Sequence, residues 1–242
     1  MEKIEKTPVG DIVRNYPGAA KVFASYNIDF CCGGEKPLEQ VCSKKELDLD
    51  KIVEKVHQEK NSESGITPRF DRWNPGFLAN YIEENHHTYV REGIPVILKW
   101  ANKVAKVHGH WKPELVKINN LFLEIAEEMH NHLEKEEQQA FPLIREMENK
   151  ADDPAELNLL SDRFAKLNDE MKSEHEEAGG KMAEIQELSN NFTPPEEACN
   201  TFRALYNALE EFQKDLHQHI HLENNILFPK ATNMDPYSET AN

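Results

Sequence analysis

The sequence has 242 residues, 38% of them hydrophobic, and a formal net charge of −16, which allows one substantial core and a small extra domain. It contains no apolar run near the roughly 18 residues of a membrane span, and its charged N-terminus lacks the apolar stretch of an export signal. We therefore expect a cytoplasmic protein, and because its charge repels nucleic acid and anionic membranes, we expect it to bind neither.

The first 60 residues predict a small helical domain. Apolar residues recur at helical spacing on both sides of a break at Cys32-Gly33-Gly34. Residues 61–75 are rich in Asn, Ser, Gly and Pro and predict a linker.

Residues 76–242 predict a four-helix bundle. Apolar residues alternate at steps of three and four in segments 76–108, 113–149, 155–190 and 195–231, which is typical of helices with one buried face. The connections are short, so successive helices should be antiparallel neighbours. The expected fold class is therefore all-α, with an up-down-up-down bundle following the small helical domain.

The apolar stripe of every predicted long helix passes through a histidine. In the fourth helix it runs through Leu216 into His219 and Glu223, and in the second through Met129 into His132 and Glu136. The first and third stripes contain His87 and His175. Burying so many polar groups costs several kcal/mol unless they are satisfied, so the set as a whole indicates metal ligands.

An internal repeat strengthens this interpretation. The pattern His-x3-Glu-x4-Phe-Pro occurs at His132–Pro142 and again at His219–Pro229, 87 residues later, and His87 and His175 are 88 residues apart. His-x3-Glu places two side chains one turn apart on one helix face, as two ligands of one metal centre require. We predict two metal ions, with Glu136 and Glu223 as bridges.

Four imidazoles and two carboxylates suit iron, although manganese and zinc remain open from spacing alone. Glu128 and Asp215, each four residues before a proposed ligand, are expected either to accept the free ring N–H of that ligand or to be solvated or salt-bridged carboxylates. Glu174, beside His175, is a weaker candidate for the same role. His86 could take the place of His87, whereas His130, His217 and His221 lie off the stripes and are expected to be exposed.

The four cysteines, at positions 31, 32, 42 and 199, form no CxxC pair, which argues against a zinc ribbon. We expect reduced thiols. Cys31 and Cys32 are either a reactive thiol site that passes iron or electrons to a client, or a packed and inert pair.

Residues 76–231 resemble the hemerythrin-like fold, and nearly the whole chain resembles the iron–sulfur cluster repair di-iron proteins, the Repair of Iron Centres family. The resemblance rests on the segments Tyr26–Gly34, His132–Glu136, Ser173–Gly179 and His219–Pro229. It implies two irons bridged by an oxo group and two carboxylates, in a bacterial cytoplasmic protein, often dimeric, that restores clusters damaged by nitrosative and oxidative stress. Its partners would be damaged or apo iron–sulfur proteins.

The sequence departs from oxygen-carrying hemerythrins at one position. Those proteins have His-x3-His on the third helix, whereas here Gly179 follows His175. An open coordination position would favour reactivity or iron exchange over reversible oxygen carriage. Three functions follow as hypotheses: cluster repair by iron donation, enzymatic reduction of nitric oxide or peroxide, and oxygen binding or sensing. Gly179 counts against the third.

Overall fold

The computed structural model describes residues 4–62, 68–150 and 152–234 of the chain. Within these ranges it contains helices and turns but no β-strand, so the all-α prediction is confirmed. The α-helices, in chain order, are α1 Val9–Asn15, α2 Ala19–Ser25, α3 Leu38–Lys44, α4 Leu49–Ser62, α5 Pro75–Ile82, α6 Thr88–His108, α7 Glu114–Lys135, α8 Phe141–Asn149, α9 Pro154–Leu188, α10 Asn200–Leu222 and α11 Phe228–Thr232.

Three of the predicted long helices are α-helix pairs joined by a π-helical turn. These turns lie at Glu83–His87, Glu136–Ala140 and Glu223–Leu227. Each adds one residue to a turn without ending the helix, so α5–α6, α7–α8 and α10–α11 act as continuous rods. The third rod, α9, is an uninterrupted helix.

The helix starts follow from local capping. Asn74 accepts a hydrogen bond from the Phe77 N–H, and Asp153 accepts from the N–H groups of Ala155 and Glu156. Each cap is followed directly by a proline, a residue suited to the first turn of a helix.

The fourth rod begins at Asn200, five residues later than the sequence pattern predicts. The Arg203 guanidinium donates to the backbone carbonyls of Pro195, Glu196 and Ala198 and so stabilises a turn there instead of a helix.

The four rods pack in a ring, α6 against α7, α7 against α9, α9 against α10 and α10 against α6. Their interior holds two apolar clusters, one around Phe122, Phe202 and Phe212 and the other around Phe141 and Phe228. Residues of a single helix change from one cluster to the other on either side of the histidines. The polar layer therefore lies between two apolar regions that exclude water from it.

Helices α1–α4 enclose a third apolar core of their own, around Phe23, Leu38 and Ile52. Helix α1 contacts the π turn Glu223–Leu227, so this small N-terminal unit rests on the bundle. The predicted linker 61–75 lies partly outside the described residues, at 63–67, while Phe70–Arg72 forms a short 3-10 turn. None of the helices in the described ranges has the length and apolar character needed to cross a membrane.

Candidate metal centre

All six residues predicted as metal ligands meet in the polar layer of the bundle. The π turns place three of them: His87 is the last residue of the first turn, and Glu136 and Glu223 are the first residues of the other two. His132 and His219 precede the glutamates by one helical turn, and His175 projects from the middle of α9. The side chains of all six are between 0% and 3% exposed.

The six side chains form two overlapping groups that share both carboxylates. One group joins His87 and His219 to Glu136 and Glu223, and its candidate ligand atoms all lie within 4.8 Å of one another. In this group the His87 Nε2 lies 3.3 Å from the Glu136 Oε2, and the His219 Nε2 lies 3.0 Å from the Glu223 Oε1. We refer to it as the His87/His219 end.

The second group, the His132/His175 end, joins His132 and His175 to the same two glutamates. The His132 Nε2 lies 3.4 Å from the Glu136 Oε2, and the His175 Nε2 lies 3.2 Å from the Glu223 Oε2. The two imidazole Nε2 atoms are 3.0 Å apart. Two shared carboxylates between two histidine pairs are the arrangement expected for a pair of cations.

Buried polar atoms that lack hydrogen-bond partners show that these residues fit such cations. Both Glu136 carboxylate oxygens, the His87 Nε2 and the Glu223 Oε2 are fully buried and have no hydrogen-bond partner among the described residues. Burying a carboxylate without such a partner costs several kcal/mol. Cations at the two ends would satisfy these inward-facing oxygen and nitrogen atoms together.

The outward-facing nitrogens of three of the imidazoles are held by neighbouring side chains. The Nδ1 atoms of His87 and His132 lie 2.8 Å from the carboxylates of Glu137 and Glu174, and that of His175 lies 3.0 Å from the Asn224 Oδ1. If Nδ1 carries the proton and donates it there, the Nε2 lone pair is free for a metal. The His219 Nδ1 is buried and has no such partner in the described part of the chain.

These outer contacts differ in part from the sequence expectations. Glu128 pairs with Lys181, which is the salt-bridged alternative, and Asp215 accepts from His86, not from His219. Glu174 does hold an imidazole, but it is that of His132 on the neighbouring helix, not that of His175. The reason is geometric: residues one turn apart on a helix point the same way, so a carboxylate reaches the outer edge of a ring more readily from an adjacent rod.

The structure separates His86 from His87. His86 points its Nδ1 to Asp215 at 2.8 Å, and its ring stacks on that of His219 with centroids 5.6 Å apart. It lies outside both candidate ligand groups, whereas His87 belongs to one.

Burial and the neighbouring carboxylates shift the pKa values of the buried imidazoles in opposite directions. Burial by itself lowers the pKa of His175, but the contact with Glu223 and the charges of Glu223 and Glu136 outweigh it and raise the pKa to about 9. The His132 contact, aided by Lys135 and opposed by partial burial, lowers the pKa of Glu174 to about 2. Burial lowers the pKa of His219 despite the charge of Glu223. Glu174 is therefore ionised at neutral pH and available to orient His132.

His217 and His221, expected to be exposed, are half-buried and buried respectively, whereas His130 is exposed as expected. His217 and His221 lie off the stripe that faces the bundle interior, because they occupy a second face of α10, and the N-terminal unit covers that face. The Phe30 ring packs edge-on against both imidazoles, with centroids 6.0 and 5.7 Å apart. Burial lowers the pKa of His221 to about 4.

Asn225, in the third π turn, fixes the N-terminal unit to the bundle. Its side-chain amide donates to the backbone carbonyls of Phe30 and Cys31, both at 3.3 Å. A Cβ atom at Gly10 or Gly34 would lie 2.4 or 2.7 Å from the Asn225 Oδ1, so the two glycines make room for this side chain. Sequence analysis missed Asn225, although its place two residues after Glu223 is a usable signal.

This docking brings Cys32 to the third helix of the bundle. The Cys32 Sγ lies 3.4 Å from the His175 backbone carbonyl and 3.3 Å from the position of a Cβ atom at Gly179. The space that Gly179 provides is thus next to a thiol, not simply empty. Cys31 lies beside it, and its Sγ is 3.8 Å from that of Cys32.

Comparison with known proteins gives a family match for both parts of the chain. Residues 79–231 match the family described as Hemerythrin HHE cation binding domain, and residues 5–60 match a Domain of Unknown function (DUF542). A protein of Cronobacter sakazakii named Iron-sulfur cluster repair protein YtfE is 38% identical over 229 residues, covering 93% of this chain and 95% of the relative. The protein of the same name from Escherichia coli O81 is 37% identical, with 93% and 96% covered.

Proposed function

Because this chain belongs to the hemerythrin HHE cation-binding family and, over nearly its whole length, to the iron–sulfur cluster repair proteins, we propose that it repairs damaged iron–sulfur clusters by supplying iron. The proposed partners are apo or damaged iron–sulfur proteins, and the proposed setting is nitrosative and oxidative stress in the cytoplasm. The name shared by the relatives supports the repair role. The supply of iron is argued from the site.

The observation that carries the proposal is the pair of buried carboxylates shared between two histidine pairs. Nitrogen and carboxylate oxygen donors suit iron, and these six side chains are enough for two ions. We assign one iron to the His87/His219 end and the other to the His132/His175 end. When bound, such an iron pair supplies exchangeable and redox-active metal.

The protein's own side chains would bind this metal and still allow it to exchange. Glu137, Glu174 and Asn224 fix three of the imidazoles with Nε2 directed inward. The two glutamates neutralise much of the charge of the ions, while the apolar clusters above and below keep water away. Thiolates are the preferred ligands of iron in iron–sulfur clusters, in place of carboxylates and imidazoles. A cluster protein rich in cysteine is therefore a favourable acceptor.

The proposal is tested by isotope transfer. The full chain is loaded with labelled iron, reduced, and incubated anaerobically with an unlabelled apo cluster protein, and the label is then counted in the acceptor's rebuilt cluster. We expect the label to appear there, and faster from the reduced than from the oxidised protein.

The control is His130→Ala, which changes an exposed histidine outside the cluster and should transfer label normally. A loaded protein that passes no label to the acceptor, but consumes nitric oxide or peroxide over many turnovers, would contradict iron supply and favour an enzyme.

A further inference from the structure

A second group of metal-binding side chains lies outside the proposed iron site, in the N-terminal unit. Asp29, Cys31 and Cys32 direct one carboxylate oxygen and two thiol sulfurs toward a common point, all within 4.8 Å of one another. They line a cavity of about 1120 Å³ between this unit and the bundle, whose wall also includes Gly179 and His217. The cavity gives a cation a route in from solvent.

The separations match a single tetrahedral cation. With metal–sulfur bonds of about 2.3 Å, two thiolates of one tetrahedral ion lie roughly 3.8 Å apart, and the two sulfurs are 3.8 Å apart here. A disulfide would need about 2.0 Å. The Cys31 Sγ lies 3.2 Å from the Asp29 Oδ1, against roughly 3.6 Å for a thiolate and a carboxylate on such an ion, a difference that a small side-chain movement covers.

The loop around these residues is already ordered. The Asp29 Oδ1 accepts from the backbone N–H groups of Cys31 and Cys32, both at 3.0 Å, and the Oδ2 accepts from that of Gly33 at 2.8 Å. The Asn225 amide holds the Cys31 carbonyl. These backbone contacts do not involve the two sulfurs, so a cation would replace only the thiol contacts to the Asp29 carboxylate and the His175 carbonyl.

We propose that Cys31, Cys32 and Asp29 form a separate binding site for one thiophilic divalent cation. On binding, the two thiols lose their protons to solvent and both sulfurs bond to the ion. The Asp29 lone pair that accepts the Cys31 S–H then becomes available as the third ligand. No electron transfer is involved.

The position of the site gives it a use. Cys32 touches the backbone of His175, a member of one end of the proposed iron centre, so a cation here lies beside that end and at the wall of the cavity. Iron leaving the bundle would meet two thiolates before a client. This role as an exit site rests on the proposed function, whereas the binding site itself does not.

The test uses Co²⁺ and the full chain, loaded with ferrous iron, reduced and kept anaerobic. Thiolate-to-cobalt charge transfer in the near ultraviolet reports only a site with sulfur ligands, and the bundle cluster has none. We expect one Co²⁺ per chain to produce this band. Cys31→Ser and Cys32→Ser should each abolish the two-thiolate band. Asp29→Asn, whose side-chain oxygen can still accept from the Cys31 and Cys32 N–H groups but whose NH2 cannot accept from Gly33, should weaken binding at least about tenfold.

Cys199→Ser, which removes an exposed thiol elsewhere, is the matched control and should leave the band unchanged. Should buried Cys31→Ser fail to fold, the half-buried Cys32→Ser and the Asp29→Asn variants decide the outcome. Absence of the band in a chain with four free thiols, or an unchanged band in Cys32→Ser, overturns the proposal. The iron content of the bundle and label transfer are measured separately, so failure of iron supply is distinguishable from failure of this site.

Discussion

His87 and His219 face Glu136 and Glu223 at one end of the cluster, and His132 and His175 face the same carboxylates at the other. The surroundings of the two ends differ. The His132/His175 end has side-chain partners on the outer nitrogens of both rings and lies beside Cys32 of the N-terminal unit. The His87/His219 end has one such partner, Glu137.

This difference shows that the ligand set of each end and the access to it have separate origins. The ligand types at both ends follow from the internal repeat of the bundle, which makes the ends chemically alike. Access follows from the N-terminal unit, which covers the two ends unequally. We therefore expect changes to the shared carboxylates to affect both ends, and changes around Cys32 or Glu174 to affect one.

The largest effect should come from a shared carboxylate. Glu223→Ala removes a proposed ligand from both ends, so iron should fall from about two per chain to nearly none. His87→Ala removes a ligand from one end only and should leave about one. Iron per chain, measured after anaerobic purification, checks both, with His217→Ala as the control that retains metal. An unchanged iron content in Glu223→Ala would contradict the ligand assignment.

A smaller effect is expected from an outer carboxylate. Glu174→Gln keeps the shape but removes the charge that orients His132, and such contacts are worth about 10- to 100-fold in metal affinity. Competition with a chelator should show this loss for one iron of the two. Glu128→Gln is the matched control because Glu128 pairs with Lys181. Equal losses for both variants would contradict the assigned role of Glu174.

Undocking the N-terminal unit should leave the metal in place. Asn225→Ala removes two hydrogen bonds to the Phe30 and Cys31 carbonyls, worth about 1 kcal/mol each. Hydrogen exchange in α1 should speed up while iron content stays constant. Asn120→Ala, a change at an exposed asparagine, should alter neither. Loss of iron in Asn225→Ala would show that the unit helps to hold the metal.

The smallest effect concerns pH at the same contact. Burial lowers the pKa of His221 to about 4, compared with roughly 6.5 in an unfolded chain. The unfolded or undocked state therefore binds the extra proton first as pH falls, and the stabilisation, complete above pH 6.5, is lost progressively down to about pH 4. Between pH 7 and 5.5 the loss should be about 1 kcal/mol, measured as lower protection of the α1 amides relative to the intrinsic exchange rate at each pH. His221→Gln should remove most of this dependence, and an unchanged pH profile would contradict it.

The sequence predicts the bundle and the six side chains that the structure brings together, because helical period determines which residues face inward. It fails for contacts between rods, where Glu174 reaches His132 and Asp215 reaches His86, since period carries no information about which neighbours meet. It fails also for His221, because a covering domain buries a face that looks polar along its own helix.

The π turns had a signal that period analysis can use. Glu136 and Phe141 are both fully buried although five residues apart, as are Glu223 and Phe228. Ala140 and Leu227, four residues after the same glutamates, are fully buried too, so two successive residues face inward there, as the extra residue of a π turn allows. Pro142 and Pro229 follow directly, and a proline lacks the N–H that an α-helical turn would require there.

Each π turn also sets the rotational phase of the helix that follows it. One residue of α-helix corresponds to a rotation of about 100°, so deleting a single residue from Glu223–Leu227 would turn α11 by that angle. Phe228, which packs in the apolar cluster around Phe141, would then point to another side of the helix although the residue itself is unchanged. A deletion scan should therefore show that single deletions in the π turns are not tolerated, whereas many substitutions at exposed positions there are. The reason is that the number of residues in each turn sets the orientation of the next helix.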